Sequence, residues 1–161
     1  MNPVTLRCMP TNDTESVERV IASPPEPIFD LLADPHRHPK IDGSGTVKNA
    51  IEGPTRLALG AKFHMAMQMG VKYSMVSEIV EFEENRRIAW QTRPANKRAA
   101  IFGGRIWRYE LEPTADGTRV RETWDISQEK IKMMARPARK KTRKAMEQTL
   151  ARIEAVVTEK P

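Results

Sequence analysis

Apolar and polar residues alternate in short runs through most of this chain, and change to a spacing of three and four only near its end. SVERVI, Ser16 to Ile21, alternates and predicts a first strand. SPPEPIFDLLADP predicts a short helix: Ser23 is a good N-cap, Pro24 or Pro25 a good first residue, and Ile28, Leu31 and Leu32 form an apolar face. Pro35 and Pro39 stop anything longer, so a break and one further helical turn precede IDGSG. TVKNAIEG predicts a second strand. GAKFHMAMQ, GVKYSMVSEIVEF, RRIAWQT, GGRIWRYELEP and GTRVRETWDIS predict five more, joined by MG, EEN, the longer PANKRAAIF connection and ADG.

Asp116-Gly117 reads as a two-residue hairpin turn, since both positions tolerate positive φ. That turn sets Glu112 opposite Arg121, Glu110 opposite Thr123 and Arg108 opposite Asp125 on a wet face. Leu111 then meets Glu122, Tyr109 meets Trp124 and Trp107 meets Ile126 on an apolar face. From about Pro137 a long helix is expected, with Thr142, Met146, Thr149, Leu150, Ile153, Val156 and Val157 along one side. Strand, short helices, six antiparallel strands and a long helix make an α+β domain. A curved sheet with the helix across its concave face uses every part.

This order resembles the helix-grip, START-like superfamily of ligand-binding and polyketide cyclase/dehydrase-like domains. The carrying residues are VERVIASPPEPIFDLLADPHRHPKIDGSG, GGRIWRYELEPTADGTRVRETWDIS and MEQTLARIEAV, so the resemblance spans about Ser16 to Val157. It implies a sheet of about seven strands gripping the C-terminal helix, two short helices after the first strand, and an apolar cavity between sheet and helix. It implies no single chemistry and no catalytic triad. Ile41 stands near a position where many relatives carry an aromatic residue.

The length of 161 residues fits one domain, placed at 15–158 behind a flexible leader at 1–14. No apolar run approaches a membrane span, no signal-peptide pattern precedes the first strand, and Cys8 has no second cysteine to pair with, so a cytoplasmic protein is expected. The formal charge of +6 is concentrated: Lys130, Lys132, Arg136, Arg139, Lys140, Lys141, Arg143 and Lys144 fall in one window without an acid. On a helix, Arg136, Arg139, Lys140, Arg143 and Lys144 share an arc. Cations in first turns oppose the helix dipole unless acids or an anion face them, which makes these five a candidate anion-binding patch or simply a solvated face. Nucleic acid is disfavoured, because the patch is short and has no interleaved aromatic residue.

Four groups carry candidate chemistry. His36 and His38 share a side if extended, and Asp34 or Asp42 would complete a metal set. The alternative is a helix-ending bend, and no resident metal or cofactor is expected. Phe63, Met65 and Met67 share a strand face, with His64, Ala66, Tyr73 and Met75 as the alternative inward set. Met133, Met134 and Met146 add soft apolar surface near the helix. Glu122 falls on the apolar side of the last hairpin, where a carboxylate is costly unless paired, so a pair with Arg105 or a rim position in water is expected. Unpaired, it becomes a polar anchor or an acid/base of raised pKa. Trp90, Trp107, Tyr109 and Trp124 supply flat walls. With Leu32, Ile41 and Leu150 these residues form the candidate ligand-binding set, and Glu122 and His38 are the candidate catalytic groups.

Three functions follow. The first is binding of a hydrophobic small molecule, lipid-like or polycyclic, between sheet and helix. The second is a cyclase or dehydratase using Glu122 or His38 for proton transfer. The third is an interaction module docking its basic helix on an acidic surface. Oligomeric state is not readable from the sequence.

Overall fold

The computed structural model describes residues 12–99 and 101–159. Most of the expected leader, including Cys8, lies outside the described residues; regular structure begins with β1 (Thr14–Ile21). Then come α1 (Pro25–Leu32), a 3₁₀ turn at Pro35–Arg37 and α2 (His38–Ile41). Six strands follow: β2 (Val47–Glu52), β3 (Lys62–Met69), β4 (Val71–Glu83), β5 (Arg87–Pro94), β6 (Arg105–Thr114) and β7 (Gly117–Asp125). The described C-terminal part consists of α3 (Lys132–Ala135), a 3₁₀ turn at Arg136–Ala138 and α4 (Arg139–Thr158). The strands form one antiparallel sheet in the order β1-β7-β6-β5-β4-β3-β2. It is a helix-grip fold: the sheet curves around α4, with register shifts in β2 and β4 of the kind that bend strands. No helix among the described residues is long and apolar enough to cross a membrane.

Local details correct four expectations. Ser23 does not cap α1; its hydroxyl donates to Pro24 O, Pro24 occupies the cap position, and Pro25 opens the helix. The long helix starts at Arg139, because Pro137 sits in the preceding 3₁₀ turn. The last hairpin slips by two residues, pairing Thr114 with Gly117, Glu112 with Arg119, Tyr109 with Glu122 and Trp107 with Trp124. Ala115 and Asp116 make the turn, and the positive φ of 137° falls on Gly117 alone. A Cβ there would lie 2.0 Å from Ile21 O, so the close approach of β1 requires glycine at that point. A shift of two preserves which side each residue faces, so the wet and apolar faces survive it. Fourth, Met65 pairs with Met75 and Met67 with Tyr73, which puts Tyr73 and Met75 on the Phe63 face rather than with His64.

The core lies between the concave face and the helices. Ile28, Phe29, Leu31 and Leu32 of α1 are fully buried, as are Met146, Leu150 and Ile153 of α4 and Ile79, Ile88 and Val120 of the sheet. Each such side chain contributes about 1.5–3 kcal/mol when removed from water. α4 packs mainly along β1 and is tied to it at both ends. Glu15 accepts from Arg139 and Arg143 at one end, and Arg19 pairs with Glu154 at 2.5 Å at the other.

Candidate functional site

The stretch DPHRHPKIDGSG forms a cover rather than a metal site. Asp34 accepts from His36 N and starts the 3₁₀ turn, and Asp42 accepts from Ser44 N and Val47 N and ends α2. Between them the chain is helical, so His36 is exposed while His38 is buried, and their side chains do not converge. Gly43 presses on α4, its N–H donating to Thr149 Oγ1 at 2.9 Å; a Cβ would meet Ala145 O at 2.2 Å. Among the described residues no group of three or more His, Cys, Asp or Glu side chains is placed to hold a metal.

His38 turns inward. Its Nε2 lies 2.9 Å from Leu32 O, which requires the proton on that nitrogen. Burial lowers its pKa, the Leu32 carbonyl opposing, so the ring is neutral. It stacks on Trp90 at 5.0 Å, Trp90 stacks on Tyr109 at 5.4 Å, and Phe63 meets both His38 and Trp90 edge-on. Tyr109 closes the column by donating to Glu122 Oε1 at 2.8 Å. His38, Trp90, Tyr109 and Glu122 thus form one continuous pile across the concave face.

Glu122 is 2% exposed and pairs with no cation among the described residues. Desolvation pushes its carboxyl up to about 8, against the lowering effect of the Tyr109 bond, so it holds a proton at neutral pH. Its Oε2 and the neighbouring Trp124 Nε1 are buried without a partner among the described residues. Desolvation and the carboxyl beside it likewise raise the Tyr109 hydroxyl well above its ordinary value. The expected Glu122–Arg105 pair does not exist. Arg105 donates from Nε to Glu129 Oε1 at 2.7 Å, and Glu129 Oε2 accepts from Gly103 N at 2.9 Å.

The free space lies toward the other end of the same face. An open cleft of about 670 Å³ is lined by Met69, Tyr73, Ser74, Met75, Pro94, Asn96, Ala99, Phe102, Gly103 and Arg105, within the usual range for small-molecule sites. It lies where β3 turns into β4 and where the β5–β6 connection closes over the sheet end. The Glu129 clamp fixes Gly103 and Arg105 on its rim. The Nη groups of Arg105 and the hydroxyl of Tyr73 have no hydrogen-bond partner among the described residues. Burial raises the pKa of Tyr73, Arg105 opposing, so the hydroxyl stays protonated at neutral pH. Apolar walls with two donors are set to take an apolar body with an acceptor or anionic head.

Of the residues expected to bind ligand, only Arg105 lines this cleft. Trp90, Trp107 and Met67 are half-buried on the concave face. Leu32, Ile41, Phe63, Met65, Trp124, Met146 and Leu150 are packed into the core, so Trp124 and Met146 fill the interior instead of bordering a gap. Met133 and Met134 are 80% and 64% exposed, at the surface and not in the interior. The basic segment is divided. Arg136 pairs with Asp13, and Arg139 and Arg143 pair with Glu15. These acids lie in and just before β1, offsetting the unfavourable helix dipole. Lys140 and Lys144 are exposed without an acid partner among the described residues.

A long helix gripped by a seven-stranded antiparallel sheet, with a cleft at one end of the concave face, defines the helix-grip class. The chain belongs to the family described as polyketide cyclase / dehydrase and lipid transport, whose model matches residues 14–158. The uncharacterized protein Rv0088 of Mycobacterium tuberculosis is 37% identical over 120 residues, which are 72% of this chain and 48% of that protein. The chain thus spans about half the length of the curated relatives it matches. Two solved structures share the fold. Protein CV1439 of Chromobacterium violaceum is 18% identical, with 93% of this chain and 100% of that one covered and a TM-score of 0.71. Protein Ms6760 of Mycobacterium smegmatis is 17% identical, with 91% and 92% covered and a TM-score of 0.71.

Proposed function

We propose that this protein acts in the cytoplasm as a binder of a hydrophobic small molecule, lipid-like or polycyclic, held in the cleft at the open end of the concave face. The observation that carries the reading is the pairing of apolar walls, Met69, Met75, Pro94 and Phe102, with the unpartnered donors of Tyr73 and Arg105. The ligand's apolar body lies against the walls, and an acceptor or anionic head meets the two donors. The family description, which includes lipid transport, is in keeping with this.

A dansyl-labelled fatty acid tests the reading. Its emission should shift to the blue and saturate at one probe per chain. Met75→Trp, which fills the cleft, should weaken binding about tenfold or more. Absence of uptake, or uptake indifferent to Met75→Trp, would sink it.

A second reading rests on Glu122, a protonated carboxyl with one oxygen free of partners among the described residues. Such a group can deliver a proton to a substrate carbonyl in an aldol cyclisation or dehydration, a contribution of about 10²- to 10⁴-fold. It needs the substrate to pass Trp107 and reach the packed interior. His38 is the weaker candidate, since its proton-bearing nitrogen is already committed to Leu32 O. Product formation from a poly-ketone, lost in Glu122→Gln, is the outcome this reading requires.

A further inference from the structure

Among the described residues, seven of the ten large exposed apolar side chains gather at one end of the molecule, around the cleft mouth. Met69 and Val71 flank the β3–β4 turn, Ile101 and Phe102 lie on the β5–β6 connection, and Met133 and Met134 lie on α3; Tyr73, on the cleft wall, is the seventh. Their proximity follows from the fold. Met69 and Phe102 line the same cleft, and Glu129, three residues before Lys132, holds Gly103 beside Phe102. The other three, Val20, Leu59 and Val80, are scattered, as single exposed apolar residues normally are. An apolar concentration of this kind marks a contact surface.

Charge selects the partner. At this end Asp13, Glu15 and Glu129 are each engaged by arginine or lysine. Lys72, Lys97, Arg98, Lys140, Lys141 and Lys144 are exposed and make no ion pair among the described residues. The surface is therefore apolar at its centre and positive at its rim. Two copies of it would repel each other, whereas an anionic bilayer offers hydrocarbon to the centre and headgroup charge to the rim.

We propose that the cleft end of the molecule docks on an anionic membrane surface, with Val71, Ile101, Phe102, Met133 and Met134 entering the interface and the unpaired lysines resting among acidic headgroups. This rests on surface residues and does not require the cleft to be filled.

The test uses the full chain with sedimented vesicles of phosphatidylcholine alone or mixed with phosphatidylserine. The protein should pellet with the mixed vesicles, far less with the neutral ones, and release as salt rises. Two variants separate the contributions. Val71→Ser with Ile101→Ser and Met133→Ser should cut retention by about tenfold or more at every salt concentration. Lys140→Glu with Lys141→Glu and Lys144→Glu should cut it by about fivefold or more per lysine at low salt and abolish the preference for phosphatidylserine. Both triple variants alter exposed residues that do not line the cleft. Their melting and their uptake of the dansyl fatty acid should match the parent, so failure of the docking idea is distinct from failure of the ligand idea. The proposal is overturned if the parent protein stays in the supernatant with the mixed vesicles, or if the apolar variant pellets like the parent. It is equally overturned if sedimentation velocity shows the same residues closing a dimer, or if salt-sensitive binding appears only with nucleic acid.

Discussion

The two ends of the concave face treat polar groups in opposite ways. Where the helices cover the sheet, Glu122 and Trp124 are buried in the same core as Val120, Leu111 and Leu150, and each keeps a polar atom with no partner among the described residues. Where the cover stops, Arg105 and Tyr73 border open space, and Arg105 is held by Glu129. Burial without partners suppresses charge, which is why Glu122 carries its proton up to about pH 8. Arg105 gives its Nε to Glu129 and borders the cleft with the rest of its guanidinium. One face thus holds a neutral, tightly packed half and an open half.

Substitutions should expose the contrast most strongly through packing. Trp124→Ala is expected to cost about 3–5 kcal/mol in urea unfolding, while Phe102→Ala at the cleft rim should stay within about 0.5 kcal/mol. Similar losses at both positions would break the distinction.

Acidity comes next. Glu122 has a folded pKa of about 8 against an ordinary 4.5 in the unfolded chain. Between those values the folded protein retains a proton that the unfolded chain has released. This group's contribution is therefore complete below about pH 4.5 and is lost as the pH rises through 8. Glu122→Gln, neutral at every pH, should raise stability by on the order of 3 kcal/mol at pH 7 and change little at pH 4. A stability difference that does not vary with pH would mean that Glu122 is not protonated in the folded state. Glu15 works the other way. Burial raises its carboxyl, but Arg139 and Arg143 more than offset this and lower it, so its contribution is present above its ordinary pKa and fades as the pH falls.

The Glu129 clamp is intermediate. Glu129→Gln should cost about 1–3 kcal/mol by stripping Arg105 of its counter-charge, and should weaken uptake of the anionic probe by loosening the cleft rim. Smallest among the interior changes, Tyr109→Phe should cost about 1 kcal/mol. Because the Tyr109 bond lowers the pKa of Glu122, its loss should also move the pH midpoint of stability upward.

Much of the fold was legible because side-chain alternation survives errors of two. The last hairpin slipped by two residues, yet Tyr109, Leu111, Val120, Glu122 and Trp124 all face inward as the pattern required. The spacing of Met146, Thr149, Leu150 and Ile153 likewise marked the buried side of α4. The site was far less legible. Alternation says which face a residue occupies but not how far along that face the helices reach, so Trp124 and Trp107 looked equivalent while one is packed and the other half-open. The cleft joins strand-end residues, Met69, Tyr73, Met75, Pro94 and Arg105, to connection residues, Asn96, Ala99, Phe102 and Gly103, and for the latter strand periodicity carries no information. One signal was present: Ile101 and Phe102 are large apolar residues in an otherwise polar connection, just before Gly103 and Gly104. The partner of Arg105 left no sequence signal, because Glu129 lies beyond the last strand in an irregular segment.

The most direct test is to follow backbone amide signals by NMR while a long-chain fatty acid is titrated into the protein. Shifts concentrated at Met69, Tyr73, Met75, Phe102 and Arg105, with Leu111, Val120 and Glu122 unmoved, are the expected result. Shifts centred on Glu122 and Trp124, with the rim residues silent, would contradict the division of the concave face into a sealed half and a receptive one.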